Sequence, residues 1–139
     1  MNETLYADSS AIVKLYLDEQ DSDDAARAMA SARTVATSRI SFTEVARALV
    51  RHEPDGVGAP IYDAWESDWQ NHEVIELDQA IAAHAASLAA HRDIRSLDAL
   101  HLASALSLGG IPLRFATWDR RLARAARGLG LRVVPASLA

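Results

Sequence analysis

The chain has 139 residues, half of them apolar and few aromatic, which describes one domain long enough to bury a real core. It has no cysteine, which excludes disulfides, zinc–thiolate sites and thiol nucleophiles. With no basic-plus-apolar leader and no apolar run near the ~18–20 residues a bilayer requires, a cytoplasmic protein with no membrane partner is expected. The net charge of −5 argues against coating a polyanion with the whole surface. Lys14 is the only lysine, and every other basic residue is arginine. A GC-rich genome produces that bias without function, but guanidinium groups also grip phosphate bidentately, which lysine does less well.

In chain order, Thr4 to Ala7 reads as the end of a buried strand, stopped by Asp8, with Ser9 or Ser10 expected to cap a helix from about Ala11. "SDDAARAMASA" is a second helix and "RTVATS" a short β-branched strand. "SFTEVARALVRHE" is an amphipathic helix with Phe42, Val45, Ala46, Leu49 and Val50 along one stripe. The segment from Pro54 to Pro60 is a break between helices, after which "IYDAWESDWQNH" resumes helical spacing. Its Trp65 and Trp69 lie one turn apart, one expected in the core and the pair a candidate groove for a partner helix. "EVIEL" is a strand, and "DQAIAAHAASLAAHRD" an Ala-rich helix capped by Asp78. "SLDALHLASALSLGG" is a helix with Ser96 as cap and Gly109–Gly110 as stop. "LRFATWD", "RRLARAARGLG" and "LRVVP" close the chain as strand, helix and strand. Such alternation predicts a three-layer α/β/α domain over residues 1–139 with a central, mostly parallel sheet.

Four acids stand out in this pattern. Asp8 and Asp119 both lie at strand-to-helix junctions, and in a parallel sheet all such junctions share the edge where ligands bind. Glu44 and Asp98 fall inside apolar helical spacing, where a charge is costly unless it is paired or holds a metal. Each alone reads as an ordinary helix-start or surface acid; the four together read as a site. Crowded carboxylates raise one another's pKa values and call for a hard divalent cation, Mg²⁺ or Mn²⁺, since the donors are all oxygen. Such a site can hydrolyse a phosphodiester. The histidines show no ligand spacing; His101, one turn after Asp98, is expected to pack or hydrogen-bond within the helix layer.

"YADSSAIVKLYLDE", "TSRISFTEVARALVR", "RDIRSLDALHLASAL" and "FATWDRRLARAARGLGL" resemble, in order and spacing, the motifs of PIN-domain ribonucleases. More closely they resemble the VapC toxins of bacterial toxin–antitoxin pairs, from Tyr6 to about Val134. The resemblance implies that Asp8, Glu44 and Asp98 are the central metal-binding acids and Asp119 a more variable fourth. Ser9 or Ser10, and Thr117, match small polar positions that orient the acids or a bound water. It further implies Mg²⁺-dependent RNA cleavage, a homodimer, and inhibition by a small cognate antitoxin. Arg39, Arg47, Arg51, Arg92, Arg95, Arg120 and Arg121 are near the active edge in sequence and are candidate RNA phosphate contacts. The alternatives are a PIN nuclease that processes RNA outside a toxin pair and a phosphoryl-signalling receiver. The receiver requires a lysine after its last strand, where this chain reads "RVVPASLA". A haloacid-dehalogenase-type phosphatase requires a second Asp two residues after the first, where Ser10 stands.

Overall fold

The computed structural model describes residues 3–52 and 60–138. Its first half runs β1 (Thr4–Ala7), α1 (Ser9–Val13), α2 (Ser22–Ser31), β2 (Thr34–Ser38), α3 (Arg39–His52) and α4 (Pro60–Trp69). The second half runs β3 (Glu73–Ile75), α5 (Gln79–Arg92), α6 (Ser96–Leu106), β4 (Leu113–Ala116), α7 (Arg120–Gly128) and β5 (Arg132–Val134). The strands form one five-stranded sheet in the order β3-β2-β1-β4-β5, parallel at every pairing. From β1 the chain winds outward through β2 to β3, then returns to the other side of β1 for β4 and β5. The winding therefore reverses between β1 and β4, and the crevice beyond their carboxyl ends is where such sheets bind ligands.

Short strands covered on both faces read as apolar runs, and the period-two alternation divides them between two cores. Tyr6, Ala36, Phe115 and Val133 face α5, α6 and α7, which bury Leu88, Leu102 and Leu122 there. Leu5, Ala7 and Ala116 face the opposite core, with Ile12, Val45, Leu49, Trp65 and Trp69. This is the expected three-layer arrangement. Register pairs Tyr6 with Phe115, whose rings stack at 5.1 Å.

Several local expectations change. Asp8, not Ser9 or Ser10, caps α1, because its carboxylate reaches the Ala11 amide and the helix begins two residues earlier than expected. Ser96 begins α6 but does not cap it; Arg95 holds the cap position, without a side-chain capping bond. Asp78 caps α5 as expected, through the Ile81 amide. Of the break from Pro54 to Pro60, only Pro60 falls among the described residues; it opens α4, where its missing N–H costs nothing. Trp65 and Trp69 are both buried, at 0% and 6% exposure, so the pair forms no partner groove. With so few aromatics available, α4 turns both against Phe42 of α3, and Tyr16 closes on Trp65. Among the described residues no helix is long and apolar enough to cross a membrane.

His72, between α4 and β3, stands edge-on to Trp69 at 6.2 Å. Burial holds its imidazole below the ordinary histidine value, against a smaller opposing pull from the Asp68 carboxylate. The folded chain thus takes up this proton less readily than the unfolded chain. The stability it protects is present above the unfolded pKa and is lost as pH falls through that value toward the lowered folded one. In denaturant titrations between about pH 8 and about pH 5, His72→Gln is expected to lose stability less steeply than the wild type.

Candidate active site

The backbone amide of Asp8 donates to the Ala116 carbonyl, so the residue leaves β1 pressed against the end of β4. Its side chain is 3% exposed, yet three donors converge on it. Oδ1 accepts from the Ala11 amide at 2.9 Å and from Ser10 Oγ at 2.7 Å, and Oδ2 accepts from Thr117 Oγ1 at 2.5 Å. Ser10 Oγ in turn accepts from the Trp118 amide, and Thr117 Oγ1 from the Asp119 amide. A carboxylate has about four lone-pair positions; these bonds leave one on Oδ2. Ser10 and Thr117 thus orient the acid, as expected, whereas Ser9 lines the adjoining groove with Lys14, Glu44 and Trp118.

The other three acids come to the same edge, Glu44 paired with His101 and Asp98 and Asp119 sharing Arg95. Glu44 Oε1 lies 2.7 Å from His101 Nε2, and His101 Nδ1 lies 2.7 Å from the Tyr6 hydroxyl. Both ring nitrogens of His101 are thereby engaged, Nε2 on Glu44 and Nδ1 on the Tyr6 hydroxyl. His101 therefore hydrogen-bonds within the helix layer, as expected, but its partner is one of the candidate acids. Asp98, in the first turn of α6, receives Arg95 Nε at 3.3 Å, and Arg95 Nη2 lies 3.6 Å from Asp119 Oδ2. Asp119 Oδ1 caps α7 through the Arg121 and Leu122 amides.

The expected upward push is present at two of these acids, and burial is its largest cause. Loss of solvent pushes both Asp8 and Asp98 above the usual carboxylate range. For Asp8, the charge that His101 carries when protonated and the hydrogen bonds from Thr117, Ser10 and Ala11 oppose that push. For Asp98, Arg95 opposes it, and the Asp119 charge adds to it. Nor do the acids close into a cage: among the described residues no three of them are arranged to enclose a cation. The donor set nevertheless suits a hard ion. It consists of carboxylate and hydroxyl oxygens, and the Arg95 guanidinium already stands as a cation between two of the acids.

Of the arginines expected near RNA, Arg39 forks onto Glu76, with Nε 2.8 Å from Oε1, and lies over the Trp69 ring. Arg95 is brought onto the acids. Arg47, Arg51, Arg92, Arg120 and Arg121 are exposed on helix surfaces. Tyr6 and Arg124 were not anticipated. The single aromatic in an otherwise small and aliphatic strand was the signal for Tyr6. The three-residue spacing from Arg121 along α7 was the signal for Arg124.

A parallel α/β/α sheet with a buried carboxylate at its switch point and further acids beside it defines an acid-site domain. The PIN-domain model matches residues 5–128, and the chain belongs to the PIN-domain family, within its VapC group. Ribonuclease VapC45 of Mycobacterium tuberculosis is 37% identical over 139 residues, covering 96% of each chain. Ribonuclease VapC46 of the same species is 33% identical over 133 residues, covering 96% of this chain and 98% of the relative. The fold is shared with VapBC2 from Rickettsia felis, solved bound to a DNA fragment from its promoter. That match has TM-score 0.66 and 14% identity, over 94% of this chain and 96% of that one. A toxin–antitoxin complex from Klebsiella pneumoniae matches with TM-score 0.66 and 18% identity, over 83% and 86%.

Thr117 is fully buried and links Asp8 to the Asp119 amide. Thr117→Val keeps its shape and leaves both groups unpaired, so an unfolding free-energy loss of about 1.5–3 kcal/mol is expected in denaturant titrations. Thr117→Ser, which keeps the hydroxyl, is expected to lose less.

Proposed function

We propose that this chain is a Mg²⁺-dependent endoribonuclease, the toxin of a toxin–antitoxin pair, cleaving RNA at the edge where Asp8, Glu44, Asp98 and Asp119 meet. The observation that carries the reading is the buried Asp8 at the switch point, held by Ser10 and Thr117 with one lone pair left open. The names of the VapC ribonuclease relatives support RNA as the substrate. Asp8, Asp98 and Glu44 would hold the ion, with Asp119 contributing through Oδ2 alone, since Oδ1 is committed to the α7 cap. When bound, Mg²⁺ supplies Lewis-acid charge to a phosphate and makes a water easier to ionise; Mn²⁺ can substitute. The chain's own residues set the geometry. Ser10 and Thr117 fix the Asp8 plane, and His101, locked by Tyr6, fixes the Glu44 rotamer.

A small cognate antitoxin is the proposed partner, as the toxin–antitoxin neighbours support. The groove lined by Val13, Ala48 and Trp118 together with Lys14, Glu19 and Glu44 offers it a mixed apolar and charged seat next to the acids. The family resemblance further supports a homodimer.

Purified protein incubated with total RNA is expected to cut it with Mg²⁺ and to stop in EDTA. Asp8→Asn, Glu44→Gln and Asp98→Asn are each expected to lower the rate by orders of magnitude, because the acids act as one unit. Asp119→Asn keeps the cap and is expected to cost less. Full cleavage in EDTA rules out the metal reading. Expressed alone, the chain is expected to arrest growth, and co-expression of the adjacent small gene is expected to restore it.

A further inference from the structure

Beside Arg95, a cavity of about 280 Å³ opens between the α5–α6 connection and α7. Four arginines line it: Arg92 and Arg95 from the connection side, Arg121 and Arg124 from α7. The acids on its wall are Asp93 and Asp98, and Asp98 is already matched by Arg95. Arg92, Arg121 and Arg124 form no ion pair among the described residues. In a chain where acids outnumber Lys and Arg 19 to 14, gathering this many guanidinium groups around one hollow opposes folding by self-repulsion. An anion relieves it.

The helix end does not supply the attraction, because Asp119 already occupies the first amides of α7. Side chains supply it. Guanidinium groups suit phosphate, whose oxygens accept paired N–H donors. The hollow lies at the lower end of the ~300–1,000 Å³ of sites that enclose small molecules, so it suits a phosphate and its sugar. Asp98 and Arg95 belong both to this wall and to the acid edge, so an anion here stands directly beside the reacting position.

We propose that this arginine-lined cavity holds a flanking phosphate of the RNA strand, one or two linkages from the bond cleaved at the acids. The inference rests on the ribonuclease reading and adds where the strand runs. A phosphate held here sets the register of the strand without reading a base.

The test is equilibrium binding of a short RNA in EDTA, where no cleavage is expected, with each linkage in turn replaced by an uncharged methylphosphonate. In the wild type, one linkage near the cleaved bond is expected to weaken binding roughly three- to tenfold when neutralised. In Arg121→Gln/Arg124→Gln that linkage is expected to become insensitive. The salt slope of the variant is expected to fall by about 0.7 for each phosphate that the two arginines no longer neutralise. Both positions are exposed, and an unchanged thermal melt confirms that the variant folds. If the wild type binds RNA but the variant keeps its methylphosphonate profile and salt slope, the cavity proposal is overturned and the ribonuclease reading stands. If the wild type binds no RNA, both fall.

Discussion

The rest of the site is arranged around one buried carboxylate. Asp8 is buried at the point where β1 meets β4, and a carboxyl group taken out of water there is strongly unfavourable unless donors surround it. The donors come from two separate parts of the chain: Ala11 and Ser10 just after β1, and Thr117 just after β4. Satisfying Asp8 therefore fixes the start of α1 and draws in the end of β4. Ser10 accepts the Trp118 amide and Thr117 the Asp119 amide, so the same network sets where α7 begins. The position of the fourth acid is thus a consequence of how the first is buried.

The acids reach one edge without being left bare. Glu44 is answered by a histidine held from behind by Tyr6, and Asp98 and Asp119 by a single guanidinium. Each pairing reduces the repulsion that four carboxylates would otherwise impose on the fold. Arg95 is central to this balance. It stands at the cap position of α6, where an ordinary helix would carry Ser or Asp. Its side chain is thereby free to cross toward Asp119 and also to line the arginine cavity. The acid edge and the basic hollow share this residue, which places opposite charges side by side along one path over the surface.

The layer order and the parallel sheet were legible because short apolar strands alternate with helices of clear spacing, and that pattern admits few topologies. Asp8 and Asp119 were legible for the same reason, since a residue at a strand-to-helix junction of a parallel sheet has a known address. Thr117 and Ser10 were legible only as small polar neighbours of those acids. Glu44 and Asp98 were visible as charges out of place in apolar helical stripes. Local chemistry of this kind is written within a few residues of each position.

What the sequence left open were relations between distant segments. Spacing along α4 placed Trp65 and Trp69 on one face but could not say that Phe42 and Tyr16 would close over them. The ion pair of Arg39 with Glu76, which lies just past β3, had no sign in the local pattern. The partners of His101 lie on β1 and α3, 95 and 57 residues away in sequence. By itself the sequence determined which elements form and which acids stand at their ends, because propensity, capping and periodicity act within one or two turns. Only the tertiary structure decided which charge answers which. That depends on distance and burial after the helices have packed, and no local pattern encodes either.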